Sequence, residues 1–159
     1  MTLKTLSETE IIDYIPQRYP FRFVDEILHV DPEGISGQYT FKSDEWFYPG
    51  HFPGNPITPG VILTEAQGQI GLVGFGFYLL SMSHPRKILL EYNILLIELH
   101  SEYFREVKPN DTVITQAMKI EYRRNKLHVA MKMMDTNNKL IAESKGYGLI
   151  VRTSDLAIK

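Results

Sequence analysis

Apolar and polar positions alternate over long stretches of the C-terminal half, and this is the clearest pattern in the chain. Ile114, Met118, Ile120 and Tyr122 share one parity, and Leu127, Val129, Met131 and Met133 share another. Runs of period two predict antiparallel strands with one buried face. Lys108-Pro109-Asn110-Asp111 and Asp135 to Lys139 read as the turns around them, and Leu140 to Val151 as the last strand. Ahead of them, Ile88 to Ile97 reads as a strand interrupted by Glu91 and Asn93, and Tyr103 to Val107 leads into the first of those turns. Near the N-terminus, residues 8 to 15 predict a short helix with Ser7 as cap and Glu10 three residues on, stopped by Pro16 and Pro20. Phe21 to Val30, apolar on both parities, and Ile35 to Phe41 predict two more strands joined by a turn at Asp31-Pro32-Glu33-Gly34.

Between these halves lies a different pattern. Tyr48 to Gly60 carries too many prolines and glycines for regular structure, and a long apolar segment follows, Val61 to Leu80. Its length is close to a bilayer span, but Glu65, Gln67 and Gln69 sit in its first half, where lipid would penalise them severely. A buried helix is the better assignment, beginning near Pro59 or Gly60 and ending before Ser81 to Pro85. Gly68, Gly71, Gly74 and Gly76 interrupt it, each at roughly 1 kcal/mol relative to alanine. That repeated loss predicts surroundings pressed close against the helix, such as a wrapping sheet. One long helix followed by a meander gives an α+β domain, expected to be a single one over residues 1–159.

Composition narrows the function classes. The 159 residues, 43% hydrophobic, suffice for one real core. A net charge of -2 draws the chain to neither nucleic acid nor anionic membrane. The local basic run Tyr122-Arg123-Arg124-Asn125-Lys126 is flanked by acids and reads as a solvated hairpin end. The chain has no cysteine, so disulfides, thiolate metal sites and a cysteine nucleophile are excluded; a reducing cytoplasm fits. The first residues lack the apolar block of a secretory signal, and Glu8, Glu10 and Asp13 argue against a mitochondrial presequence. His29, His84, His100 and His128 are scattered, with no pair at helical metal spacing.

Chemistry concentrates between residues 51 and 69. His51 stands in the irregular segment, where its near-neutral pKa class suits a general acid or base as well as a turn residue. Glu65 falls in the second helical turn within an apolar sequence, so its carboxylate must be hydrogen-bonded, paired or shifted in pKa. A purely structural carboxylate bonded to loop amides would satisfy the same demand. Gln69, four residues on, shares its face. The Gly60 amide, or one just after it, is placed to polarise an acyl carbonyl with help from the helix dipole. A base, an acid and an amide donor suit loss of water across two carbons, but they suit hydration or thioester hydrolysis equally. The aromatic residues Trp46, Phe47, Tyr48, Phe52, Phe75, Phe77 and Tyr78 read as core or loop anchors, with an acyl tunnel as the alternative.

The run HFPGNPITPGVILTEAQGQ, from His51 to Gln69, resembles the hot-dog-fold family of 3-hydroxyacyl-[acyl-carrier-protein] dehydratases, in the branch that pairs histidine with glutamate. The segment Ile15 to Asp25, IPQRYPFRFVD, is similar to that family's LPHRYPFLLVD, and Phe104 to Asp111 bears a looser likeness. The resemblance implies a hot-dog fold, with a long central helix wrapped by a curved antiparallel sheet. It implies a homodimer as the minimal catalytic unit, often a hexamer built as a trimer of dimers. It carries catalysis onto His51 and Glu65, facing one another across the dimer interface, carbonyl binding onto the Gly60 amide and site support onto Gln69. The substrate would come on an acyl carrier protein whose phosphopantetheine belongs to the substrate, so no cofactor and no metal are expected. Phe52, Phe75, Tyr78 and Leu79 are candidates for the acyl tunnel. Gln17 stands where the family usually has histidine, Gln67-Gly68 where methionine and alanine are common, and YFREVKPND, Tyr103 to Asp111, is one residue shorter than the family's stretch. The expected activity is dehydration to the trans-2-enoyl thioester in fatty-acid or a related specialised lipid or polyene synthesis. A hot-dog thioesterase, or a noncatalytic acyl-binding or assembly subunit, would carry the same fold.

Overall fold

The structure is a computed structural model that describes residues 3–156. Helix α1, Glu8–Tyr14, starts at the expected cap: the Glu10 carboxylate accepts from the Ser7 amide and from its hydroxyl, both at 2.9 Å. The same carboxylate pairs with Arg86, which ties α1 to the segment just beyond the long helix and holds Glu10 down to about 2. Strands β1, Glu26–Asp31, and β2, Gly34–Thr40, form the first hairpin. The Asp31 carboxylate accepts from the Glu33 and Gly34 amides at its turn. Phe21 to Asp25, expected to open β1, is not strand. The Phe23 amide donates instead to the Gln69 side chain, and only at Asp25, whose amide donates to the Gln38 carbonyl at 2.9 Å, does the backbone turn to β2.

The long helix, α2, runs without a break from Gly60 to Ser81 in three segments: α-helical Gly60–Gly68, a π-helical stretch Gln69–Gly74 and α-helical Phe75–Ser81. A one-turn helix α3, Arg86–Leu89, follows Pro85. Strands β3, Tyr92–Tyr103, β4, Thr112–Arg123, β5, Lys126–Asp135, and β6, Leu140–Arg152, complete one antiparallel sheet in the order β1-β2-β4-β5-β6-β3. The sheet curves around α2, as a hot-dog fold requires. Among the described residues no helix is long and apolar enough to cross a membrane.

Two strand expectations need correction. Residues 88 and 89 lie in α3, and β3 begins at Tyr92 and continues through Glu98 to Glu102, polar except for Leu99. Pairing with nearly the whole of β6 holds that polar half extended where its own pattern would not. On β4 the buried face is Val113, Thr115 and Ala117, not the parity of Ile114, Met118 and Ile120; Met118 is 67% exposed. The reason is room. A Cβ on Gly71 would lie 2.9 Å from the Ala117 Cβ and 2.5 Å from Met131 Sδ, so helix and sheet approach too closely for large β4 side chains. On β5 the expected face, Leu127, Val129, Met131 and Met133, is buried. The β4–β5 hairpin end is the basic run; Arg124 (φ 50) and Asn125 (φ 61) take the left-handed turn conformation.

Two apolar clusters result. The larger packs Ile70, Leu72, Phe75, Tyr78 and Leu79 of α2 against α1 and the sheet. The second gathers Phe23, Tyr39, Phe41, Phe47 and Tyr48 around Ile62, Leu63 and Ala66 at the start of α2. This second cluster fixes the loop that carries His51.

Candidate active site

Pro59 precedes α2 with φ -57, and its carbonyl accepts from the Ile62 and Leu63 amides at 2.9 and 3.1 Å. The Gly60 amide belongs to the first turn, which an α-helix leaves without an internal acceptor. Glycine relieves a tight contact there, because a Cβ would stand 3.0 Å from the Tyr103 ring. The Tyr103 hydroxyl meets that of Thr64, so β3 and the helix start are locked together. Thr58, buried just upstream, donates its amide to the Val107 carbonyl at 2.8 Å, and its hydroxyl bonds that of Tyr48 at 2.7 Å. Burial pushes the Tyr48 hydroxyl up to about 12, so it stays protonated and keeps this anchor.

His51 is half-buried in the loop before the helix. Its backbone bonds Tyr48 and Ile57, and its Nδ1 lies 2.8 Å from the Ile57 carbonyl. A carbonyl can only accept, so Nδ1 carries the proton and Nε2 of the neutral ring keeps its lone pair. The ring stacks on Phe52 at 4.1 Å, with Phe52 itself half exposed. The loop thereby presents a base of defined tautomer and orientation.

Glu65 is fixed from the helix side. Its Oε1 accepts from Gln69 Nε2 at 2.9 Å and, more weakly, from Gln17 Nε2 at 3.5 Å. Gln69, 1% exposed, is fully used: its Oε1 accepts the Phe23 amide at 2.7 Å and its Nε2 also donates to the Phe21 carbonyl at 2.8 Å. Because an amide N–H only donates, these partners set which end of Gln69 faces Glu65. Both donors act on one carboxyl oxygen, and no hydrogen bond reaches the other, Oε2, among the described residues. Gln17 Oε1 is buried without a partner beside them.

Glu65 and Gln69 are thus brought together, whereas no hydrogen bond joins His51 to Glu65 within the chain among the described residues. A cavity of about 170 Å³ adjoins Glu65, lined by Gln17, Gly68, Leu72, Ile94 and Leu96 among others. Of the tunnel candidates, Phe75, Tyr78 and Leu79 lie in the larger core and do not line this cavity. The π-helical stretch between Glu65 and Phe75 resets the helical register, which a uniform 3.6-residue period does not anticipate. The β3 residues gave no sequence signal of their own, and Gln17 stood out only as a departure from the histidine usual in the family that the chain resembles. Only Gly68 and Leu72, three and seven residues after Glu65, follow from helical spacing. Among the described residues no cluster of three or more His, Cys, Asp or Glu is placed to hold a metal.

Comparisons with known proteins bear on the family and the fold. Residues 15–145 match the FabA-like domain. A protein of Rickettsia africae described as 3-hydroxyacyl-[acyl-carrier-protein] dehydratase FabZ is 34% identical over 143 residues, 89% of this chain and 94% of that one. The corresponding Rickettsia bellii protein is 32% identical over 147 residues, 92% and 97% of the two chains. Among solved structures, a thioesterase of Haemophilus influenzae superposes with a TM-score of 0.66 at 15% identity, covering 96% of each chain, which bears on the fold alone. The match to the FabA-like domain takes in both His51 and Glu65, and with the FabZ homology over most of the length it places this chain in the FabA-like family, among the relatives of the hot-dog dehydratases.

Proposed function

We propose that the protein dehydrates a 3-hydroxyacyl thioester carried on acyl carrier protein, giving the trans-2-enoyl thioester, in the cytoplasm. His51 Nε2 takes the proton alpha to the thioester carbonyl. The Gly60 amide stabilises the charge that builds on the carbonyl oxygen. Glu65, protonated on Oε2, gives that proton to the departing beta-hydroxyl, and water leaves as the double bond forms. Solvent then takes the proton from the His51 imidazolium and returns one to the Glu65 carboxylate, which restores both groups. The phosphopantetheine arm arrives with the substrate, so the reaction draws on no resident cofactor.

The observation that carries the reading is the complementary fixing of the two groups. Ile57 holds His51 in the tautomer of a base, and Gln69 occupies one oxygen of Glu65 while leaving the other for a substrate. This supports a place in the histidine/glutamate branch. The separation of the two groups within one chain supports a site shared by two chains. Edge strand β3 supports the same assembly: among the described residues it pairs with β6 alone, and Leu95, Leu96 and Ile97 are 40%, 55% and 51% exposed along it. A second copy covers that edge, and a trimer of such dimers is the larger assembly proposed.

The test is turnover of a 3-hydroxyacyl-carrier substrate with the product read by mass. Loss of one water is expected. His51→Ala and Glu65→Gln variants should stay folded and lose about 10²-fold or more in rate. Near-wild-type dehydration by both would refute the assignment, and release of free acid and thiol with no enoyl product would favour a thioesterase instead.

A further inference from the structure

Glycine within a helix lowers stability by roughly 1 kcal/mol relative to alanine, so each one in α2 calls for a reason. Four have a steric one. A Cβ would come 3.0 Å from Tyr103 at Gly60, 2.5 Å from Met131 at Gly71, 3.3 Å from Ile11 at Gly74 and 2.5 Å from Ile94 at Gly76. Gly68 has none: a Cβ there meets nothing within 4 Å. Its backbone, φ -64 and ψ -40, is ordinary helix, so conformational freedom does not explain it either.

What Gly68 does have is a cavity. It follows Glu65 by three residues, on the same face and about 4.5 Å further along the axis. Both line the cavity of about 170 Å³, whose remaining walls include Leu72, Val73, Ile94 and Leu95. Away from Gln17, Thr64 and Glu65 the lining is apolar, so a polar substituent on that side would lose its hydration without a partner. The space left open by the missing side chain is that of one methyl group.

We propose that Gly68 is a specificity-determining residue: it keeps a notch in the acyl cavity, a few carbons from the reacting pair, that accepts a methyl branch on the substrate chain. The inference rests on the dehydratase reading of the same cavity. A straight chain passes a narrower wall equally well; a branched one does not. One methyl in a close-fitting apolar pocket changes selectivity about 10-fold or more.

The experiment uses carrier-bound 3-hydroxyacyl substrates of equal length, straight or with one methyl walked along the carbons beyond the hydroxyl, with the wild-type protein and Gly68→Ala. At the branch position that the wild type accepts best, the ratio of kcat/KM for branched over straight substrate should fall at least about five-fold in the variant. Its Tm should hold or rise, because alanine is the better helix former and meets open space. A ratio that moves less, a wild type that dehydrates straight chains but refuses every branched one, or a variant with a lowered Tm would each overturn the role of Gly68. A wild type that dehydrates nothing in the panel would take down the dehydratase reading itself, and this inference with it.

Discussion

Replacing Gln69 by leucine removes three hydrogen bonds at once and leaves their partners in place. Leucine fills much of the same space, so the change is chiefly polar. The Phe23 amide loses its 2.7 Å acceptor inside a fully buried residue, the Phe21 carbonyl loses its 2.8 Å donor, and Glu65 Oε1 loses its 2.9 Å donor. A buried backbone group left without a partner costs about 1–3 kcal/mol. Two such groups, one of them only partly buried, give a loss of about 2–4 kcal/mol. For a chain of this length that is a fall in Tm of about 5–15 °C, read by calorimetry or by circular dichroism. The second effect is kinetic. With only Gln17 left, at 3.5 Å, the Glu65 carboxyl is free to rotate, and turnover measured well below the Tm should fall about ten-fold or more. A Tm within about 2 °C of wild type would refute the stability reasoning. Wild-type turnover in a folded Gln69→Leu protein would refute the claim that Gln69 orients Glu65.

Three further outcomes follow from other parts of the fold. Gly71→Ala should destabilise by about 1–3 kcal/mol, since its Cβ would strike Met131 and Ala117; a denaturation midpoint no lower than wild type would contradict that packing. Glu10, held down to about 2 by Arg86 and by the Ser7 amide, contributes stability that is complete above the ordinary carboxylate range and vanishes as the pH drops from about 4.5 to about 2. Glu10→Gln should therefore melt a few degrees lower near neutral pH, a small effect because both partners are partly exposed, and match wild type near pH 2; a gap independent of pH would refute it. Leu96→Lys, placing a charge on the open edge of β3, should shift the protein toward monomer in analytical ultracentrifugation and lower activity in step; an unchanged assembly would put the dimer contact elsewhere.

The parts of the fold that could be read from the chain are those that local chemistry decides. Ser7 and Glu10 set the start of α1, Pro59 sets the start of α2, and alternation on β5 picks out its buried face. What could not be read depends on a neighbour distant in sequence. Met118 and Ile120 look like core residues until Gly71 is known to press against Ala117 on the opposite face of the strand. Glu98 to Glu102 look like loop until β6 is laid beside them. Phe23 reads as strand because nothing local announces that Gln69, forty-six residues away, takes its amide.

The candidate site divides along the same line. His51 and Glu65 are visible because a histidine among prolines and a glutamate in an apolar helix are each anomalous locally. Gln17 shows only as a departure from the family's histidine: it lies forty-eight residues from Glu65 in sequence, and nothing local says that the two side chains meet. Gly68 is hidden in another way, since its three neighbours in the glycine series share one explanation that does not extend to it. Crowding accounts for Gly71, Gly74 and Gly76; the sequence marks Gly68 only as a departure from the alanine common in the family, without saying that it faces open space. Only the position of every surrounding atom distinguishes a glycine demanded by contact from one that faces empty space. The distinction bears on function, because substituting the first kind damages the core, whereas substituting the second narrows a cavity beside Glu65 in a helix made no weaker.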